Sequence, residues 1–356
     1  MATSQLIFIF TAAILWASVS SHPGLNTSGG WESFRNFSGC HTGDHVSGLS
    51  SLKKYLYHFG YIPTSPPSSN FSDDFDDAFH TALLTYQQNF NLNTTGILDS
   101  LTLDQMVRPR CGVADVINGT STMNSGRSKN KNERRLYTFF PGTPKWPSSK
   151  RELTYAFSTQ NLVIQIQVMR TIFRRAFDRW AAVTQLTFTE IDSYITADLR
   201  IGFFSGDHGD GEPFDGVLGT LAHAFSPTNG MFHLDAAENW VADGDVTTSS
   251  SRSTAIDLES VAVHEIGHLL GLGHSSVEDA IMFPTIAAGT RRVDLGADDI
   301  LGVQKLYGTN PNFNGTSSST SEQERDASTN GGTARVLTSG AHVVMLCCFL
   351  GWLLLY

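Results

Sequence analysis

"HEIGHLLGLGH", residues 264–274, sets three histidines at i, i+4 and i+10, with a glutamate directly after the first. Residues four apart share one face of an α-helix, so His264 and His268 can aim their ring nitrogens at one ion. Glu265, one helical step on, is close enough to act on a water at that ion and badly placed to be a ligand. The helix must end before His274 if the third imidazole is to swing back. Gly271 and Gly273 are residues that tolerate the left-handed backbone such a turn needs. Three nitrogen ligands and an open fourth position predict a catalytic zinc site.

The extended pattern H-E-x-x-H-x-x-G-x-x-H is the signature of the metzincins, and it implies a methionine turn downstream. Met282, in "AIMFPT", stands at a suitable distance to form an apolar floor beneath the histidines.

The chain has 356 residues, room for two modest domains, and a net charge of -10, which excludes nucleic acid as a natural partner. Residues 1–21, "MATSQLIFIFTAAILWASVSS", form a short apolar run ending in small residues and read as a secretory signal peptide. N-x-S/T sequons at Asn26, Asn36, Asn70, Asn93, Asn118 and Asn314 agree with passage through the secretory route. At the far end "VVMLCCFLGWLLLY" is short for a membrane span and has nothing polar after it. Small residues at 330–332, a spacer over 333–342 and that tail predict attachment of a glycosylphosphatidylinositol (GPI) lipid at Asn330, with Ser328 the second choice and a short tail anchor the alternative.

Removal of the tail leaves Cys40 and Cys111, which could pair as a disulfide. The surroundings of Cys111 suggest another task. "PRCGVAD", residues 109–115, follows a stretch of helical spacing from about 42 to 106, exemplified by "DDAFHTALLTYQQNF". After it comes the polar run "NGTSTMNSGRSKNKNERR". A thiolate is a better zinc ligand than water, so a cysteine at the open position blocks catalysis until the chain is cut. Exposed polar segments are where proteases cut, which places the mature start near Leu136 or Tyr137.

With "PRCGVAD", "HEIGHLLGLGH" and Met282, the sequence resembles the matrix metalloproteinases, the matrixins, of the small plant type without a hemopexin domain. The resemblance implies a cysteine-switch role for Cys111, with Arg110 and Asp115 bracing its loop by a salt bridge. Matrixins usually carry proline where Ala114 stands, a departure that would loosen the loop without removing the ligand. The implied organisation is a signal peptide at 1–21, a pro-domain at 22–135, a catalytic domain at 136–308, a polar linker at 309–330 and a removed lipid-attachment signal at 331–356. The pro-domain would be small, helical and peptidoglycan-binding-like.

A second metal region lies in "DHGDGEPFDGVLGTLAHAFSPTNGMFHLDAAENW", residues 207–240. His208, Asp210, His223 and His233 offer a closed tetrahedral set for a structural zinc. Asp215, Asp235 and Glu238 are hard oxygen donors suited to calcium; an acidic loop without metal is the plain alternative. The resemblance adds main-chain oxygens of Gly216, Leu218 and Thr220 to that calcium. It also makes Asp198 a ligand of a second calcium, although the loop before His233 is shorter than in many relatives.

Strands are predicted at "ELTYAFS", "LTFTEI", "DLRIGFF" and "TLAHAF", and helices at "IQVMRTIFRRAFDRWAAV", "SVAVHEIGHLLG" and "ADDILGVQKLYG". This is an α+β chain, a twisted mixed sheet with packed helices, in which "TLAHAF" is the edge that pairs with an extended substrate. The implied activity is zinc-dependent hydrolysis of peptide bonds in extracellular proteins, with an activating protease and a lipid-anchored membrane as partners. Two other readings remain at this point: a non-catalytic surface module that binds a polymer through its pro-segment, and another metzincin branch such as the astacins or adamalysins. The intact Glu265 opposes the first; Ser275 after His274, with the cysteine motif, opposes the second.

Overall fold

The structure, a computed structural model, describes residues 31–63, 70–123, 137–242, 245–249 and 251–315. The expected signal peptide, Asn26, the cleavage stretch up to Leu136, Ser328, Asn330 and the apolar tail lie outside the described residues.

The amino-terminal part carries helices α1 (Leu49–His58), α2 (Asp77–Asn89) and α3 (Ser100–Met106). Asp76 and Asp99 start α2 and α3 by accepting the N–H of Phe79 and Thr102, which leaves fewer orphan donors at each helix end. Their apolar faces meet around Trp31, Leu52, Tyr55, Leu83 and Tyr86, with Trp31 and Tyr55 edge to face at 4.8 Å. A two-residue strand, β1 (Arg110–Cys111), and the hairpin β2 (Val116–Ile117) and β3 (Thr120–Ser121) follow.

The larger part runs β4 (Glu152–Phe157), α4 (Ile166–Val183), β5 (Thr187–Glu190), β6 (Leu199–Phe204), β7 (Thr220–Ala224), β8 (Met231–Asp235), β9 (Asn239–Val241), β10 (Ala255–Asp257), α5 (Leu258–Leu269) and α6 (Ala297–Tyr307). Its sheet has the order β1-β7-β8-β6-β4-β5, with β7 antiparallel to β8 and the other pairs parallel. This is the expected α+β arrangement. Along α4 the residues Met169, Ile172, Phe173, Ala176, Phe177 and Trp180 recur at helical spacing and are buried. Trp180 donates from Nε1 to the Val263 carbonyl at 3.0 Å and so ties α4 to α5 inside the core.

Helix α5 begins where Asp257 accepts from the Ser260 N–H, and it is buried along its whole length. Such a helix presents its histidines from a rigid element. Strand β8 departs from expectation, because 231–235 had read only as part of a metal-binding loop. Phe232 and Leu234 face the core while His233 alternates to the other side.

Strand β1 lies in a slot. Arg110 and Gly112 donate their N–H to Gly219 and Ala222 on the β7 side, each at 2.8 Å, while Cys111 donates to Pro284 opposite at 2.9 Å. The segment that carries β1 therefore adds a parallel strand to the edge of the sheet at β7.

Candidate active site and metal centres

The last turn of α5 and the chain beyond it place three imidazoles around one point. Gly271 has φ +99° and its Cα faces the Pro144 carbonyl so closely that any Cβ would collide, so the reversal there demands glycine. Gly273 does not take a left-handed backbone as expected; it is required because a Cβ would overlap Thr138 Oγ1. The ligand atoms of His264, His268, His274 and Cys111 all lie within 4.8 Å of one another, and all four residues are buried.

Each ring is oriented through its other nitrogen. His264 Nδ1 lies 2.7 Å from the Ile281 carbonyl, His268 Nδ1 2.8 Å from the Leu272 carbonyl, and His274 Nδ1 2.8 Å from Asp115 Oδ1. Nδ1–H donation leaves every Nε2 as the inward ligand atom. Burial lowers His264 to about 3 and His268 well below its ordinary value, so both rings are neutral, as metal ligands must be. The Nε2 atom of His264 has no hydrogen-bond partner although buried, as expected of an atom that awaits a metal.

Cys111 Sγ lies 3.4 Å from His268 Nε2. Both Cys40 and Cys111 are free thiols, so the disulfide alternative does not apply. Behind Cys111 its loop is clamped: Arg110 donates from Nη2 to Asp115 Oδ1 at 2.7 Å, both side chains are wholly buried, and the guanidinium sits 3.6 Å from the Phe59 ring centre. Burial alone would raise the Asp115 carboxyl, yet the Arg110 charge and the His274 ring hold it at about 2. The departure at Ala114 leaves this salt bridge in place. Glu265 is fully buried beside the thiol, and burial pushes its carboxyl up to about 8. Met282 packs directly under α5, where a Cβ on Gly267 would overlap its sulfur.

Comparison with known proteins bears on this geometry. The sequence profile of the matrixin family matches residues 145–308, and that of a peptidoglycan binding domain residues 46–106. Metalloendoproteinase 2-MMP of Arabidopsis thaliana is 58% identical over 307 residues, 83% of this chain and 80% of that protein. Metalloendoproteinase 1 of Glycine max is 47% identical over 311 residues, 87% of this chain and 97% of that protein. Stromelysin-1 of Mus musculus is 36% identical over 272 residues, 75% of this chain and 50% of that protein.

The chain belongs to the matrixin family. As a matrixin it is a zinc metalloendopeptidase that uses catalytic and structural zinc and calcium.

The second cluster of this matrixin is built on one carboxylate oxygen. His208 Nε2, His223 Nε2 and His233 Nδ1 lie 2.9, 2.8 and 2.8 Å from Asp210 Oδ2. Burial would raise Asp210, but the three histidines pull it far below the usual carboxylate range. The donor set and its spacing fit the expected structural zinc.

Around β7 and β8, Gly216 donates its N–H to Asp235 Oδ2, Leu218 to Glu238 Oε1 and Thr220 to Asp215 Oδ1. Asp215 Oδ2 and Glu238 Oε2 are buried without partners. Burial pushes Asp215 to about 7 and Glu238 to about 8, and the Asp235 charge adds to both. Leu218 has a left-handed φ of +57°, strain of the kind a ligand loop stores. Three crowded acids, two of them with a spare buried oxygen, fit a calcium.

Asp198 does not fit the second calcium the resemblance implied. Its Oδ2 accepts from Thr154 N and Oγ1 at 2.9 and 2.8 Å, and Oδ1 takes the Lys150 ammonium. A side chain supplies the positive charge.

Of the sequons among the described residues, Asn36, Asn70, Asn93, Asn118 and Asn314 are all exposed. Two features of the site were not read from the sequence. Asp115 reaches His274 from 159 residues away, and Asp299 on α6 accepts the N–H of Ile281 and Met282 at 2.8 and 3.1 Å, which fixes the methionine turn. A capping pattern at the start of α6 could have flagged Asp299, since Gly296 also donates to it.

Proposed function

We propose that the chain is made as a secreted, self-inhibited precursor and becomes an endopeptidase of extracellular proteins when the segment beyond Cys111 is cut. Support comes chiefly from Cys111, whose thiol shares one point with three histidine nitrogens. Zinc held by His264, His268 and His274 would polarise a peptide carbonyl and acidify a water. Glu265 then accepts the proton of the attacking water and returns it to the leaving amine nitrogen. Its position directly after His264, buried beside the point that the three histidines share, supports that task.

An extended substrate would replace β1 on the edge of β7 and use the backbone groups of Gly219, Ala222 and Pro284. The pocket lined by Leu221, Val261, His264, Ile281, Phe283 and Pro284 would take the side chain after the scissile bond. The structural zinc would rest on His208, Asp210, His223 and His233. Asp215, Asp235 and Glu238, with main-chain oxygens of Gly216, Leu218 and Thr220, would hold calcium.

The pro-domain would span 22–135, the catalytic domain 136–308 and the linker 309–330. Matrixins are generally extracellular, in keeping with the signal peptide read at 1–21 and the exposed sequons. The tail with Asn330 supports attachment to the outer face of the plasma membrane through a GPI lipid.

The decisive experiment assays the secreted precursor on a quenched peptide with Leu after the scissile bond, before and after a thiol-reactive mercurial, with and without a zinc chelator. Activity should appear on thiol modification and vanish with chelator. Glu265→Ala should retain zinc and lose about 10²–10⁴-fold in turnover; undiminished turnover would remove Glu265 from the mechanism.

A further inference from the structure

Each histidine of the site is held through Nδ1, but the three acceptors do not share one fate. The carbonyls of Ile281 and Leu272, which take His264 and His268, follow α5 in the chain and stay with it. Asp115, which takes His274, stands on the segment that the proposed activation removes. His264 and His268 also lie within α5, whose hydrogen bonds fix their main chain, whereas His274 lies beyond its end. Once Asp115 has gone, whatever keeps His274 in place must act on its main chain.

Thr138 does so twice. Its carbonyl accepts the N–H of Gly273 at 2.9 Å, and its hydroxyl donates to the His274 carbonyl at 2.7 Å. His274 is wholly buried, so that hydrogen bond satisfies an oxygen that water does not reach. In the uncut chain the hydroxyl is shared. The same Oγ1 meets the Thr122 carbonyl, and a hydroxyl has a single proton for two acceptors. Thr122 in turn donates its N–H to the Asp115 carbonyl at 2.7 Å, so both rivals for this corner of the site belong to one segment. Its departure takes away the acceptor on the His274 ring and frees the Thr138 proton together.

We propose that Thr138 is a positioning residue of the mature enzyme. Its hydroxyl, divided between Thr122 and His274 in the precursor, passes wholly to the His274 carbonyl when the amino-terminal segment leaves, and it then holds the third ligand that Asp115 held before. A mature start near Leu136 or Tyr137 retains this residue by one or two positions, and a cut beyond Thr138 discards the hold. Serine keeps the hydroxyl; valine keeps the shape and leaves a buried carbonyl stranded. The inference rests on the reading of the chain as a peptidase precursor that is cut before Thr138.

The test measures zinc affinity by competition with a chelator, and kcat and KM on a quenched peptide, for wild type, Thr138→Val and Thr138→Ser. Each is taken as the secreted precursor and again after proteolytic cutting within 124–136 and removal of the amino-terminal fragment. In the cut form Thr138→Val should bind zinc about tenfold or more weakly, the effect of losing an outer partner of a ligand, and Thr138→Ser should match wild type. With zinc saturating, kcat of Thr138→Val should fall while KM stays, because the ligand and not the peptide has lost a contact. In the precursor, where Asp115 and Cys111 hold the site, the three proteins should retain zinc alike. A merely structural role would weaken both forms together. Thr138→Ala serves if Thr138→Val does not fold. Unchanged zinc affinity in the cut variant, an equal loss in both forms, or a Thr138→Ser that behaves as Thr138→Val would overturn the proposal. A cut, zinc-loaded wild type that hydrolyses no peptide would instead overturn the peptidase reading, and the zinc comparison would still decide the role of Thr138.

Discussion

Asp115, four residues after Cys111, holds His274, the third histidine of the site, with Oδ1 2.8 Å from Nδ1. The same oxygen accepts from Arg110 at 2.7 Å, so one buried carboxylate braces both the loop that carries the thiol and a ring that would hold the metal. Second partners of this kind orient ligands and raise their basicity. The segment that brings the thiol to the histidines thereby also brings the carboxylate that orients one of them.

Asp115→Ala should open the precursor. It strands a wholly buried Arg110, and breaking a buried pair costs about 3–5 kcal/mol. Peptidase activity without thiol reagent, and faster labelling of Cys111, are the expected results. The carboxyl sits at about 2 in the fold against about 3.9 free, so its stabilisation is complete above pH 4 and lost as pH falls towards 2. Mild acid near pH 5 should leave the precursor shut, as an activity assay after incubation would show.

Calcium stabilisation should grow with pH. Asp215 and Glu238 titrate near 7 and 8 in the fold and near 4 when unfolded, so between those values the folded state holds more protons. Stability of the calcium-stripped protein therefore falls as pH rises from about 4 to 8. Added calcium should restore it most at the upper end. Thermal midpoints with calcium or with chelator, taken at pH 5, 6.5 and 8, check the sign.

Calcium stoichiometry should ignore Asp198. Its carboxylate is occupied by Lys150 and Thr154. Calorimetric titration should lose a binding step in Asp215→Asn and lose none in Asp198→Asn; a step removed by the second substitution would restore the second site.

Gly267→Ala should lower stability although alanine favours helices. The added methyl would overlap Met282 Sδ and press on Trp180 at 3.2 Å. Overpacking of this kind costs about 1–3 kcal/mol, a fall of several degrees in thermal midpoint. Zinc content should fall with it if Met282 supports the histidines.

Much of the fold was legible because its helices carry strong periodic patterns. Helix α4 runs over the same residues, 166–183, as the predicted apolar repeat, and β4 to β7 fall within the predicted strands. Strand β8 was not recognised, since "MFHLD" is a mere five residues whose His and Asp read as ligands among glycines and acids. Its alternation was present and outweighed. At the site, His264, His268 and His274 were readable because a helix and its turn keep them local. Asp115 and Asp299 reach the site from distant segments, and no local spacing records such approaches.

The burial of Arg110 against Phe59 has a kinetic consequence. Cys111 hangs on no loose tether, for its loop is anchored in the aromatic core of the amino-terminal part and the residue is only 5% exposed. A reagent reaches the sulfur only in moments when that whole part lifts, an opening whose frequency belongs to the protein alone. Once reagent is plentiful, then, modification of the thiol should run at a pace set by the protein's own breathing, the same for a small mercurial as for a large oxidant, and quicken steeply on warming as unfolding rates do.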